Sequence, residues 1–374
     1  MSRVLTSTSA LAKKASPIQS RGYASQLVKQ PTTGRMHMQR GPGGRHSATG
    51  HVATVFGATG FLGRYLVSKL AKAGTQVVVP YRDQDETRHL KVCGDLGQVV
   101  PMEWDMNNDT QIEECLRHSD TVYNLVGRDF NTKNFTFNDV NVSGARRIAR
   151  IAHLSGVSRL IHVSHLNASP TSASAYYRTK FEGEQAVKDA FPEATIVRPG
   201  WMYGHEDRLL NTMAVSPSVY RVNHMETKIA PVHVMDVAQA LAVMLKAPSS
   251  ASSTYAFPGP KTYDFETILS LVEALTLKKL KGPNFPRPIL ALAARLWDLV
   301  WWPTLSPDEV TRRFINDLEV EEGLKGFADL GIEPDVLEDV AIVYLRRYRS
   351  SAYFDLPIQK GGIKIRAPKY HVVE

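Results

Sequence analysis

Tyr176 and Lys180 stand four residues apart at the start of a stretch with helical periodicity, which puts a phenol and an ammonium on one helix face. Twelve residues before Tyr176, Ser164 ends the apolar run Arg159-Leu160-Ile161-His162-Val163-Ser164. That run has the composition of a buried strand, and open α/β sheets bind ligands at the C-terminal ends of their strands. A phenol beside a cation is a proton-transfer pair. Taken alone, the pair is a half-buried ring and a solvated charge; it gains chemical meaning only from a nucleotide site nearby.

Such a site is written at residues 51–63, HVATVFGATGFLG, a β-branched strand running into Gly57, Gly60 and Gly63 and then into a helical pattern. Gly57 allows the tight turn, Gly60 lets backbone approach a pyrophosphate, and Gly63 lets helix and strand pack closely. Gly57, Thr59, Gly60, Phe61, Leu62, Gly63 and Arg64 would then surround the diphosphate at the helix N-terminus. The next strand stops at Arg82, 19 residues past Gly63, where an acid would bind the ribose hydroxyls. Arg82 instead offers a charged fork for a 2′-phosphate, with Arg64 as a second cation, so the cofactor expected is NADPH rather than NADH. Asp83 keeps the ribose-acid alternative open.

The G-x-x-G-x-x-G spacing with Ser164, Tyr176 and Lys180 resembles the short-chain dehydrogenases. The resemblance implies that Lys180 lowers the phenol pKa from about 10 toward neutrality and binds the nicotinamide ribose. It also implies that Tyr176 exchanges the carbonyl proton and that Ser164 orients the substrate oxygen. Asp105 would hydrogen-bond adenine, and Asn124-Leu125-Val126-Gly127 takes the place of the family's Asn-Ala-Gly loop. Asn141 fits the buttressing helix, and Arg198-Pro199-Gly200-Trp201-Met202-Tyr203-Gly204 resembles a segment of the extended type. Asp236 reads as a helix cap. His233 has no Cys or acidic cluster at metal-ligand spacing, so no metal is expected.

These residues need a scaffold, and the alternation of patterns supplies one: strands at 51–57, 76–81, 98–103, 120–125, 159–164 and 194–198, with helices at 61–73, 84–93, 109–117, 138–155 and 175–190. The fold class expected is α/β, a Rossmann-type doubly wound parallel sheet over 51–205. A smaller mixed C-terminal lobe follows at 206–330, with helices at 236–246, 263–275, 287–301 and 306–318. Residues 331–374 form a helix and an extended partner-binding tail.

The formal charge of +8 does not point to nucleic acid, because residues 1–50 hold eight basic residues and no acid, which is the whole excess. That leader resembles a mitochondrial transit peptide, with cleavage expected after Tyr23, leaving 24–50 as a flexible or partner-bound arm. Two cysteines, Cys93 and Cys115, argue against a disulfide framework and exclude a four-thiolate cluster within the chain. No apolar run is long enough to span a bilayer. Residues 287–305 concentrate Trp297, Trp301 and Trp302 among leucines, which suits a subunit contact, the membrane headgroup region, or the core of the small lobe.

Three strings go beyond the superfamily: Ile161-His162-Val163-Ser164-His165-Leu166-Asn167-Ala168, the run from Asp189 to Pro199, and Gly204-His205-Glu206-Asp207-Arg208-Leu209-Leu210-Asn211. From about residue 51 onward the chain is similar to the NADPH-carrying accessory subunits of mitochondrial respiratory complex I, atypical short-chain dehydrogenases. That resemblance implies a tightly held structural nucleotide, other complex I subunits as partners, a site on the matrix face of the inner membrane, and support of the peripheral arm beside the quinone site rather than turnover. The competing readings are a free mitochondrial NADP-dependent reductase or epimerase and an NADP(H)-sensing regulator.

Overall fold

Val52–Phe56 form the central strand β1 and bury four of their five side chains, as a strand with helices on both faces of its sheet must. The structure, a computed structural model, describes residues 41, 46–215, 221–280, 282–298, 306–318, 320 and 323–354, with two short strands at Gln26–Lys29 and Met36–Gln39. After β1 come α1 (Phe61–Lys72), β2 (Gln76–Tyr81), β3 (Val99–Glu103), α2 (Asp109–Leu116) and β4 (Thr121–Asn124). The second half adds α3 (Ala145–Leu154), β5 (Arg159–Val163), α4 (Ala175–Ala190) and β6 (Thr195–Pro199). All six strands are parallel in the order β3-β2-β1-β4-β5-β6, and the winding reverses between β1 and β4. A ligand crevice opens at that reversal. The expected doubly wound Rossmann sheet is borne out.

Beyond residue 205 the chain does not stay in a smaller lobe. Helix α5 (Val234–Lys246) packs against α1 and buries both of its faces. The buried Tyr123 hydroxyl of β4 donates to the Leu241 carbonyl at 2.9 Å. Strand β7 (Thr254–Phe257) then extends the sheet beside β6, in parallel register from Thr254 opposite Ile196 to Phe257 opposite Pro199. The smaller lobe holds α6 (Phe265–Thr276), α7 (Arg287–Asp298), α8 (Pro307–Arg312) and α9 (Leu337–Leu345). Its core joins Leu210, Met213, Ile268, Val272, Leu337 and Leu345, separate from the sheet core.

Several boundaries move for local reasons. The polar helix expected at 84–93 is a 3-10 turn at Asp85–Thr87 followed by a single turn at Arg88–Lys91. The helix expected at 263–275 starts at Phe265, because Tyr263–Asp264 pair with Lys228–Ile229. The helix expected at 306–318 stops at Arg312, because Asn316 and Asp317 accept the backbone N–H groups of Lys228 and Ala230. The helix expected at 138–155 begins with a π-turn, Asp139–Gly144. In the arm expected to be flexible, Gln26–Lys29 and Met36–Gln39 form an antiparallel ladder. The leader at 1–23, Trp301, Trp302 and the tail at 357–374 lie outside the described residues.

Candidate nucleotide-binding site

Three glycines leave backbone bare where β1 turns into α1. Gly57 has φ +79°, and a Cβ there would sit 3.0 Å from the Leu125 carbonyl carbon, so the turn demands glycine twice over. A Cβ on Gly63 would lie 2.4 Å from the Gly57 oxygen and 2.6 Å from the Ala58 Cα, which fixes how closely α1 lies on the turn. Gly60 is different, since its Cβ would meet only the Gly57 oxygen, at 3.2 Å. Among the described residues only that carbonyl crowds a side chain at Gly60, and it needs to give by a few tenths of an ångström, whereas a bound ligand would leave no room at all. Gly60 occupies the N-cap of α1 without a capping side chain, and the first turn contains no acid, which leaves the helix N-terminus available to an anion.

An open cleft of about 910 Å³, counting the solvent at its mouth, runs from this turn over β2 and β3 and includes Gly57, Thr59, Gly60, Arg82, Asp105 and Gly127 in its lining. Arg82 is exposed on its wall. Neighbouring Asp83 turns back to accept the Asp85 N–H at 3.0 Å, so it shapes its own turn. Arg64 lies outside the lining: its Nε donates to the Thr59 carbonyl at 3.0 Å and its guanidinium faces Glu206 at 3.7 Å. Arg128, directly after Gly127, is the cleft's other arginine, and no spacing rule pointed to it. Leu62 is buried in the core, and the Phe61 ring packs on Tyr65, so these two contribute backbone at most. Asp105 lines the cleft beyond the end of β3, with its carboxylate accepting the Asn107 N–H at 2.7 Å. Asn124 is buried and accepts the Val126 N–H at 3.1 Å, shaping the Leu125–Gly127 loop rather than lining the cleft. Pro199, at the end of β6, accepts the Leu166 N–H and also stays outside the lining.

At the inner end, Lys180 is buried under Gly127. A methyl group on Gly127 would lie 2.9 Å from Nζ, and Nζ donates to the Val163 carbonyl at 3.4 Å. The Tyr176 ring centroid is 5.9 Å from the same nitrogen. Ser164 Oγ and Asn141 Oδ1 are buried without hydrogen-bond partners among the described residues. The Asn141 Nδ2 donates to Thr179 at 3.1 Å, and α4 presses on its turn so tightly that a Cβ on Gly183 would lie 2.2 Å from the Asn141 backbone carbonyl oxygen. Orphaned polar atoms beside a buried lysine are what a bound nicotinamide ribose would satisfy, and the bare glycine turn fits its diphosphate.

The electrostatics depart from expectation. Burial pushes the Lys180 ammonium down to about 8, while burial, reinforced by Asp129 and Asp308 against the opposing Arg312, pushes the Tyr176 phenol up to about 12. The expected lowering of Tyr176 toward neutrality does not occur, since the low-dielectric surroundings penalise the phenolate more than the nearby cations favour it. Burial likewise holds His162 and His165 down to about 3, both neutral.

Above Tyr176 sits the smaller lobe. The buried Arg312 of α8 places its guanidinium 4.7 Å from the ring centroid and donates to the Asp129 carbonyl at 2.9 Å. Asp308, one turn earlier, accepts from Ser174 Oγ and the Ala175 N–H, both at 2.8 Å, and so caps α4 from outside. Phe137 and His165 meet the Tyr176 ring edge-on at 6.0 and 6.1 Å. Arg312 also lines a second cavity, with Trp201, Met213 and Phe265, whose lining does not include Tyr176.

Elsewhere the expected roles shift. Arg198 makes a bidentate pair with the buried Glu184 of α4 at 2.7 to 3.2 Å, locking α4 to β6. Asp236 accepts the Asp335 N–H at 2.7 Å instead of capping α5. His233, Asp236 and Asp335 gather with ligand atoms within 4.8 Å, a grouping the sequence spacing hid. They satisfy one another as a hydrogen-bonded network, with His233 Nδ1 3.2 Å from Asp335, Nε2 2.7 Å from the Tyr344 hydroxyl and the ring stacked on Tyr203.

Sheet order, glycine turn and cleft define a nicotinamide-dinucleotide-binding protein of the extended short-chain dehydrogenase type, and residues 57–248 match the NAD(P)H-binding family. An NADPH-dependent quinone oxidoreductase from Escherichia coli, solved with NADPH, has the same fold, with a TM-score of 0.62 at 19% identity over 78% of this chain and 99% of its own. The chain is 50% identical over 319 residues to the 40 kDa subunit of mitochondrial NADH-ubiquinone oxidoreductase of Neurospora crassa, covering 85% of each chain. It is 40% identical over 327 residues, 86% of each chain, to the rat mitochondrial NADH dehydrogenase (ubiquinone) 1 alpha subcomplex subunit 9. The chain belongs to this family of complex I subunits, and the resemblance read from its sequence is borne out.

Proposed function

We propose that the protein is an accessory, non-catalytic NADPH-holding subunit of mitochondrial NADH:ubiquinone oxidoreductase, carried on the matrix face of the inner membrane, where it supports assembly and stability of the peripheral arm near the quinone site. Family membership supports the placement in the complex. The observation that carries the non-catalytic reading is Arg312 stacked on Tyr176, which sets a buried cation where a carbonyl substrate would have to lie. A phenol held at about 12 under that cover is a poor proton donor at neutral pH.

A bound nicotinamide nucleotide supplies a hydride. The chain's own residues bind and shield it: Arg82 receives the 2′-phosphate, the α1 N-terminus the diphosphate, and Lys180, Ser164 and Asn141 the ribose and amide. Arg82 on the cleft wall, with Asp83 tied into its own turn, supports NADPH over NADH. A ligand bound only to the folded state adds about 4 kcal/mol at a thousandfold excess over its Kd, so NADPH serves as a staple. Residues 1–23 act as the cleaved leader, and 331–374 with the 287–305 surface meet neighbouring subunits or the membrane. No helix among the described residues is long and apolar enough to cross a membrane.

A free reductase is the second reading, favoured by the intact Ser164, Tyr176 and Lys180. Native gel separation of gently solubilised mitochondria decides between the two. Co-migration with a core complex I subunit at high mass is expected; migration near 41.6 kDa would favour the reductase. Replacing Tyr176 by Phe should leave assembly and bound nucleotide unchanged, since it removes only the hydroxyl. A Tyr176→Phe subunit missing from the high-mass band would contradict the structural role.

A further inference from the structure

Helix α7 is apolar on two sides. Leu290 and Ala294 face inward and pack with Val222 and Val310, which accounts for one stripe. Ile289, Leu292 and Leu296 form a second stripe at helical spacing and are 57, 60 and 59% exposed. Nothing within the described residues covers them. A core helix has no reason to keep three large aliphatic residues in water on its outer face, so this face awaits an occupant.

The charge around it identifies the occupant. Residues 274–297 contain five basic residues, Lys278, Lys279, Lys281, Arg287 and Arg295, and no Asp or Glu. Lys278, Lys279, Arg287 and Arg295 are exposed. Outside this stretch the chain after residue 50 carries 32 basic and 37 acidic residues, so the excess of five positive charges here is a local feature, distinct from the basic leader. Protein interfaces deplete lysine at their centres. A sheet of anionic headgroups has the opposite requirement: basic side chains spread along the surface, with aliphatic and tryptophan side chains inserting between acyl chains. Trp297 continues α7, and Trp301 and Trp302 follow it in sequence.

We infer that α7 and the basic connection leading into it form a docking surface for anionic phospholipid, with Ile289, Leu292 and Leu296 entering the headgroup boundary and the flanking Lys and Arg residues reading its charge. This deepens, and rests on, the reading of the protein as a peripheral subunit at a membrane. The surface would orient the subunit by its smaller lobe, since the nucleotide cleft is built on the sheet.

Co-sedimentation of the purified full chain with phosphatidylcholine vesicles, with and without phosphatidylglycerol, tests the inference. Binding is expected only to the anionic vesicles and should weaken as salt rises. The basic leader would also attract such vesicles, so the deciding comparison is between variants of the same chain. Leu292→Asp with Leu296→Asp, both already exposed and thus compatible with folding, should lower binding by about tenfold or more, and Lys278→Ala with Lys279→Ala by a similar factor. Retained nucleotide and an unchanged melting temperature would certify the fold of each. Unchanged vesicle binding in both variants would overturn the inference. So would unchanged vesicle binding by the leucine variant together with its loss from the high-mass complex, which would make the face a protein interface. Failure of the complex I reading would appear separately, as migration at the chain's own mass with vesicle binding intact.

Discussion

The two ends of the nucleotide cleft are built in opposite ways. The end proposed to take the diphosphate comes from consecutive residues, a glycine turn and a helix N-terminus, and it is open. The Tyr176 end is gathered from Asp129, Phe137, His165, Asp308 and Arg312, and it is covered. Holding a nucleotide thus depends on local backbone geometry, whereas exposing it to a substrate depends on where a distant lobe rests. A family can keep the first and lose the second without touching Ser164, Tyr176 or Lys180.

The sharpest way to break the open end is Gly63→Val. Its side chain would run into the Gly57 and Ala58 backbone, so neither folded protein nor bound nucleotide is expected in solubility and absorbance assays. Gly60→Val should separate the two effects, folding as an apoprotein while binding NADPH on the order of a hundredfold more weakly by calorimetry. Equal behaviour of the two variants would mean that Gly60 faces protein rather than ligand.

At the covered end, Arg312→Ala removes a buried cation from Asp308 and Tyr176 and should cost about 3 kcal/mol in denaturant unfolding. It should also make the fluorescence of bound NADPH more quenchable by acrylamide; unchanged quenching would show that Arg312 is not the cover. Arg82→Ala is a smaller change, expected to weaken NADPH relative to NADH by about tenfold to a hundredfold in competition binding. An unaltered ratio would return the ribose to Asp83.

Small at any one pH near neutrality, but cumulative on acidification, is an effect from His162, held down to about 3 by burial beside Lys180. The unfolded chain binds its proton near pH 6.5 and the folded chain does not, so stability is lost as pH falls from about 6.5 toward 3, at up to about 1.4 kcal/mol per pH unit per histidine. His162→Leu should flatten part of that slope, and His165, also held down, supplies the remainder. A His162→Leu slope equal to the parent's would place the proton uptake elsewhere.

The legible parts of this molecule were the local ones. The turn at Gly57–Gly63, the strand ending at Ser164 and the helix carrying Tyr176 and Lys180 each declare themselves within a dozen residues, through glycine spacing or hydrophobic period. The clamp at Asp308 and Arg312 has no such signal, since a charged pair at that spacing is an ordinary helical ion pair until the fold sets it on Tyr176. Arg64 misled because sequence adjacency to Gly63 says nothing of Glu206, which arrives from across the molecule. Strand β7, four residues long, was hidden between loops and is specified by the open edge of β6 more than by its own composition.

That last strand imposes an order of events. A chain emerging N-terminus first, from a ribosome or through a translocation pore, presents β6 with a bare hydrogen-bonding edge until residue 257 is out, because the partner for that edge lies beyond the insertion that forms part of the smaller lobe. Any product ending between residues 206 and 253 would expose an unpaired parallel strand rich in Ile, Val and Thr, a template for association with another chain. Completion of the nucleotide-binding half is therefore postponed until well over half of the polypeptide has passed, and the interval before that moment is when a chaperone has most to protect.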